Sequence, residues 1–152
     1  MKQDEHRPVI MVVDDDADSL SIVTRYLKRE GLMVVAASSG SECLDLIKQH
    51  QPDVIVLDLM MPEMDGFATC RALRADPVSA DIPVIMLTAR DDVDARAEGM
   101  ELGISDFIAK PVARHELAER IHAQLEMLAA DRANFATLDQ LKHPKFDRSN
   151  KD

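Results

Sequence analysis

Cysteine is scarce in this chain of 152 residues, and neither of its two cysteines belongs to a Cys-x-x-Cys pair. Cys43 and Cys70 each fall inside a helical pattern with no paired histidines, which leaves a disulfide framework or a zinc site with little support. They read as buried or half-buried free thiols. The five histidines, His6, His50, His115, His122 and His143, are scattered among charged residues and read as surface imidazoles. Residues Met1 to Arg7 are polar and charged without an apolar segment, and no run approaches the roughly 18 apolar residues of a membrane helix. Internal repeats and low-complexity tracts are absent. So is any basic patch: 18 basic against 28 acidic residues give a net charge of −10, which repels a phosphate backbone. From Ala129 onward five bases (Arg132, Lys142, Lys145, Arg148, Lys151) meet four acids (Asp131, Asp139, Asp147, Asp152), so the acidity lies in the body of the chain. Part of it is concentrated at Asp14, Asp15 and Asp16. These absences predict a cytoplasmic protein with no direct nucleic-acid or membrane partner.

What is present is an apolar content of 46%, enough for one globular core. Val9–Val13, Met33–Ala37, Val54–Leu57 and Val84–Leu87 are continuous apolar runs, and Phe107–Ala109 is a shorter fifth. Strands apolar on both faces belong in a parallel sheet covered on both sides. Helical patterns separate them: Leu20, Val23 and Leu27 before Gly31; Leu44 and Ile47 before His50; Phe67 to Leu73; and Asp91 or Asp92 to Leu102, with Gly31 and Gly103 at C-cap positions. The alternation predicts an α/β fold, an open, doubly wound sheet of five strands with right-handed crossovers and five helices. A last helix should start near Ala113 or Arg114, with Leu117, Ile121, Leu125 and Leu128 as its apolar stripe. The expected division is a domain over residues 7–128 and a C-terminal helical extension or tail over 129–152. Phe135, Leu138 and Leu141 extend the stripe, whereas Pro144 and the charged end read as a frayed tail.

In an open α/β sheet the functional crevice lies beyond the carboxyl ends of the strands. Asp14 and Asp15 follow the first strand, Asp58 ends the third, Thr88 ends the fourth and Lys110 follows the fifth. Three carboxylates in one crevice repel each other and one lysine cannot neutralise them, so a hard divalent cation is expected; magnesium suits an all-oxygen site. A strand-end carboxylate in such a setting is a candidate nucleophile.

Val12-Val-Asp14-Asp15-Asp16, Leu57-Asp58-Leu-Met-Met-Pro62, Leu87-Thr88-Ala89 and Phe107-Ile-Ala-Lys110-Pro111, in that order, resemble the signature of response-regulator receiver domains of two-component signalling, over about residues 7 to 128. The resemblance implies a flavodoxin-like sheet of order 2-1-3-4-5 and Asp58 as the phosphoacceptor. Asp15 and Asp58 would then reach magnesium directly and Asp14 through water, with the main-chain carbonyl of Met60 completing the set. Lys110 and the Thr88 hydroxyl would contact phosphoryl oxygens. Phe107 occupies the place of an aromatic switch that follows Thr88, or is a core aromatic. Lys110-Pro111 matches a cis peptide of the family. Met60 and Arg90 stand where the family lines the path of the hydrolytic water, implying slow hydrolysis unless they are ordinary surface residues. The implied partners are a sensor histidine kinase or a histidine phosphotransfer protein, and an output protein or a second copy docking on the face of the fourth helix, fifth strand and fifth helix.

On this reading the protein is a phosphorylated binding module rather than an enzyme, either free-standing or a receiver from a longer chain with a C-terminal output domain. A haloacid-dehalogenase-type phosphatase is the rival, since Asp14 and Asp16 mimic its Asp-x-Asp pair. That family wants Thr or Val where this chain has Asp18, and it leaves Asp58, Thr88 and Lys110 unexplained. A flavin carrier fails because three aspartates would repel the flavin phosphate.

Overall fold

A computed structural model describes residues 7–89 and 93–142. Five strands, β1 (Val9–Val13), β2 (Met33–Ala37), β3 (Val54–Asp58), β4 (Val84–Thr88) and β5 (Asp106–Ala109), pair in parallel in the order β2-β1-β3-β4-β5, the order implied by the resemblance. Five helices connect and follow them: α1 (Ala17–Arg29), α2 (Gly40–His50), α3 (Gly66–Ala75), α4 (Val93–Glu101) and α5 (Arg114–Lys142). The three central strands, β1, β3 and β4, are buried along almost their whole length, while the edge strands β2 and β5 are partly exposed. That is why the central runs are apolar without alternation.

Side chains alternate across the sheet, which splits the core into two layers. Met11, Val13, Ile55, Leu57, Val84 and Met86 pack with Cys43 and Ile47 of α2 and with Phe67, Cys70 and Leu73 of α3. Ile10, Val12, Val54, Val56, Ile85, Leu87 and Ile108 pack on the other face with Val23 and Leu27 of α1 and with Leu117 and Ile121 of α5. Both cysteines are free and buried, and burial pushes the Cys43 thiol up to about 12, which makes it inert.

Helix ends follow local side-chain chemistry. Asp16 accepts from the backbone N–H of Ser19 and caps α1. Ser39 accepts from Glu42 N and caps α2, while Glu42 accepts from Ser38 N in return. Asp65 accepts from Ala68 N, and α3 therefore starts at Gly66, one residue before the apolar pattern. Gly31 and Gly103 have positive φ, as their C-terminal positions require. The last helix, α5, runs unbroken through Leu128 to Lys142, about 43 Å at 1.5 Å per residue. Just past Leu128 it is fastened to the base of the sheet, where Arg132 Nη2 lies 3.5 Å from Asp53 Oδ1 and Asp53 Oδ2 accepts from Val9 N at 2.9 Å. Pro144 and the charged end lie outside the described residues. Of the histidines, His50, His115 and His122 are exposed as expected; His6 and His143 lie outside the described residues.

Two arginines of α3 fasten the structure that follows it, in different ways. Arg71 Nη2 pairs with Glu98 of α4 at 2.6 Å in an exposed setting. Arg74 donates to four main-chain carbonyls, those of Ala80, Ile82, Leu102 and Gly103, at 2.8 to 3.2 Å, and so ties the loop before β4 to the loop before β5. Charged donors to carbonyls are worth about 1.5–3 kcal/mol each and exposed pairs about 0–1 kcal/mol. Arg74→Ala should therefore destabilise the fold by about 2 kcal/mol or more in urea unfolding, and Arg71→Ala by about 1 kcal/mol or less. Equal losses would contradict this ranking.

Candidate functional site

The register of the sheet builds the site. Val13 of β1 stands beside Leu57 of β3, so the next residues, Asp14 and Asp58, emerge at the same height on adjacent strands. Asp14 keeps the ladder to β2 through its N–H to Ala37 O at 3.1 Å. On the other side Thr88 pairs with Ala109, and Lys110 N donates to Thr88 O at 2.8 Å, which holds the backbone of Lys110 at the end of β5. The Lys110-Pro111 bond is cis, as the resemblance implied. From there the Lys110 ammonium reaches back across the strand ends to Asp58 Oδ1 at 2.9 Å and Asp14 Oδ2 at 3.4 Å.

Asp14, Asp15 and Asp58 form one acidic cluster, each offering a carboxylate oxygen within 4.8 Å of the others. Asp14 and Asp58 are only 1% and 3% exposed, whereas Asp15 faces solvent. Burial pushes the Asp58 carboxyl above its ordinary range. The charges of Asp14 and Asp15 act the same way, and the Lys110 hydrogen bond and charge oppose them without cancelling them. For Lys110, burial works against the ammonium, but the hydrogen bond and charge of Asp58, followed by Asp14, prevail and hold it above its usual range. The site thus contains three carboxylates, two of them dry, against one lysine. An all-oxygen donor set of this kind fits a hard divalent cation.

Not every acidic residue of the run is free for chemistry. Asp16 is spent on capping α1, and its own N–H donates to Asp14 Oδ1 at 3.0 Å, which orients that carboxylate. Thr88 is buried at the end of β4, with its hydroxyl donating to Ala89 O at 3.1 Å. Met60 is 71% exposed at the rim. Phe107 is partly buried against the α3 side of the core, and Arg90 lies outside the described residues. One positioning residue was not picked out from the sequence: Gly66. A Cβ there would sit 2.7 Å from the Asp58 carbonyl oxygen and 2.8 Å from Leu59 Cα, while Gly66 N donates to Leu59 O at 2.8 Å. The loop after Asp58 folds back this tightly only on a residue without a side chain. Its sequence signal was the Asp65-Gly66 pair, a capping residue followed by a small first helical residue.

A family model described as the response regulator receiver domain matches residues 10–122. The chain belongs to this family. It is 44% identical over 121 residues to a protein named probable transcriptional regulator ycf27 from Guillardia theta, a match covering 80% of this chain and 46% of that protein. It is 43% identical over 122 residues to the response regulator MprA of Mycobacterium sp. (strain KMS), covering 80% and 52% respectively. The chain therefore spans about half the length of the curated relatives it matches. Among solved structures, a putative response regulator from Chloroflexus aurantiacus superposes with a TM-score of 0.76 at 33% identity, covering 79% of this chain and 98% of that one. The chemotaxis protein CheY4 of Vibrio cholerae gives 0.74 at 27% identity, covering 77% and 98%. The protein is a two-component response regulator receiver with the flavodoxin-like fold of those neighbours. No helix among the described residues is long and apolar enough to cross a membrane.

The receiver site carries its own pH signature. A carboxyl whose value is raised by folding favours the folded state at acid pH, and that contribution is lost as pH rises through the raised value. Ionised Asp58 therefore weakens the metal-free fold at neutral pH, with the pull of Lys110 already included. In chelator, Asp58→Asn should melt above wild type at about pH 7, and the gap should shrink toward about pH 4. An Asn variant that melts below wild type at neutral pH would contradict the raised Asp58 carboxyl.

Proposed function

We propose that Asp58 accepts a phosphoryl group from the phosphohistidine of a sensor kinase or a histidine phosphotransfer protein, in a magnesium-dependent reaction. The observation that carries this reading is the Lys110 ammonium at 2.9 Å from a buried strand-end carboxylate that sits beside Asp14. An Asp58 oxygen attacks the phosphorus, the bond from phosphorus to the histidine nitrogen breaks with its electron pair leaving on nitrogen, and an acyl phosphate remains. Lys110 then holds one phosphoryl oxygen, and the Thr88 hydroxyl serves another once it leaves the Ala89 carbonyl. Asp15 and Asp58 are assigned as direct ligands, Asp14 as a ligand through water and the Met60 carbonyl as a further ligand. Bound there, magnesium would neutralise the cluster and the phosphoryl oxygens.

The reaction on this reading is stoichiometric rather than a turnover. The diversion of Asp16 into the α1 cap speaks against the rival phosphatase, whose acid would be that residue. The exposed Met60 side chain offers a hydrolytic water no polar anchor, which favours a long-lived acyl phosphate. Output is assigned to altered binding of a partner protein, or of a second copy, on the α4-β5-α5 face. In the relatives the matched region is about half of the protein, so a C-terminal output domain is the second form this output takes.

Incubation with acetyl phosphate and magnesium should add one phosphoryl group to the wild type and none to Asp58→Asn in intact-mass analysis. Equal labelling of the two would remove Asp58 from its role. Asp15→Asn, lacking a direct ligand, should weaken magnesium binding by about 10-fold or more, and Asp14→Asn by less. The measurement is a magnesium titration followed by amide resonances, and wild-type affinity in Asp15→Asn would break the ligand assignment.

A further inference from the structure

The loop between Asp58 and α3 holds a conformation that its own residues do not favour. Glu63 has a φ of 66°, in the left-handed region that a residue with a Cβ rarely adopts, and the N–H of Met64 donates to Pro62 O at 2.7 Å. Backbone of this kind persists only where its surroundings fix it. Gly66 N closes the base of the loop on Leu59 O, Met61 is buried in the core layer of α2 and α3, and Met64 lies against Gly40, the first residue of α2.

The contact at Gly40 reaches both the loop and the helix that follows it. A Cβ there would overlap Thr69 Oγ1 and lie 2.8 Å from Met64 Sδ and 3.0 Å from Met64 Cγ. Thr69 has little room to turn aside, because it is fully buried and its Oγ1 donates to Asp65 O at 2.9 Å. Asp65 is the last residue of the loop and the cap of α3. α2 is no freer to withdraw. Ser39 Oγ accepts from Glu42 N and Glu42 accepts from Ser38 N, while Ala37, just ahead of them, accepts from Asp14 N at 3.1 Å. The first turn of α2 is thus a fixed floor beneath the loop, tied on its other side to the acidic cluster.

We propose that Gly40 is a positioning residue of the receiver: by carrying no side chain it lets Met64 and Thr69 close onto the first turn of α2, which sets the course of residues 59–65 and the direction of the Met60 carbonyl. This rests on the reading that this carbonyl is a magnesium ligand. The Met60 side chain stands exposed at the rim, so the carbonyl is aimed by the geometry of the loop. A methyl group on residue 40 pushes against a flexible thioether at Met64 and a hydroxyl locked at Thr69. The thioether yields first, and the left-handed turn at Glu63 loses its anchor.

The test is a magnesium titration of the full chain followed by amide resonances, with a urea unfolding curve on each variant. Gly40→Ala should bind magnesium about 5-fold more weakly than wild type or worse, as loss of a ligand's outer support does. Met64→Ala should weaken binding too, and Gly40→Ala added to it should lower affinity by less than it does alone, since both act through one contact. A purely structural role moves stability alone: Ile47→Val, in the same core layer of α2, should lower the urea midpoint and keep wild-type magnesium affinity. Wild-type affinity in a folded Gly40→Ala, full additivity with Met64→Ala, or an equal loss in Ile47→Val overturns the proposal. If Gly40→Ala does not fold, Met64→Ala decides by the same titration. A wild type that takes up no magnesium would instead bring down the ligand assignment, and Gly40 is then judged in chelator. There Gly40→Ala should shift the amides of Leu59, Met60 and Met61, and shifts confined to the neighbours of Gly40, Met64 and Thr69 overturn the proposal.

Discussion

Parallel pairing of β1 with β3 fixes Asp14 and Asp58 at the same height on neighbouring strands, which sets two like charges side by side at the strand ends. The rest of the site answers this constraint. Lys110 reaches both carboxylates from β5, across the end of β4, and the main-chain bond from Lys110 N to Thr88 O keeps it in range. One cation is too little for three carboxylates, two of which are withdrawn from water. The unbalanced charge suits a divalent cation, which would supply the missing positive charge.

Around this centre the chain uses short polar side chains for geometry rather than chemistry. Asp16 caps α1 and orients Asp14 through its own N–H; Asp65 caps α3; Gly66 allows the loop after Asp58 to fold against its own strand. These local devices have neighbours in the functional set that look alike in sequence. Asp14 and Asp16 are the same residue type two positions apart, yet one faces the crevice and the other a helix terminus.

The two faces of the sheet also differ in how firmly they are covered. α1, α2, α3 and α5 contribute buried leucine, isoleucine, valine, phenylalanine or cysteine side chains to the two core layers. The described part of α4 contributes Ala95 and the main chain at Gly99, and exposed Met100 points apolar surface outward. A helix that buries so little is held by a few specific contacts, and its position is correspondingly cheap to change.

Much of this was legible in the sequence. Continuous apolar runs required a parallel sheet, their ends located Asp14, Asp58, Thr88 and Lys110, and the spacing of those ends carried the receiver resemblance, because strand-end position depends only on local pattern and the topology rules of α/β sheets. What the sequence could not decide were distances and directions. That Lys110 reaches Asp58 more closely than Asp14, and that Arg74 serves carbonyls while Arg71 meets a carboxylate, depend on residues far apart in the chain, whereas the turn of Asp16 to a helix cap is local, made with Ser19 three residues on. The run of α5 past Leu128 to Lys142 was suggested in the sequence only by the spacing of Phe135, Leu138 and Leu141. The close approach of the Phe107 ring to the main chain at Gly99 had no sequence signal: they stand eight positions apart, and only the packing of α4 over β5 brings a missing side chain against a ring.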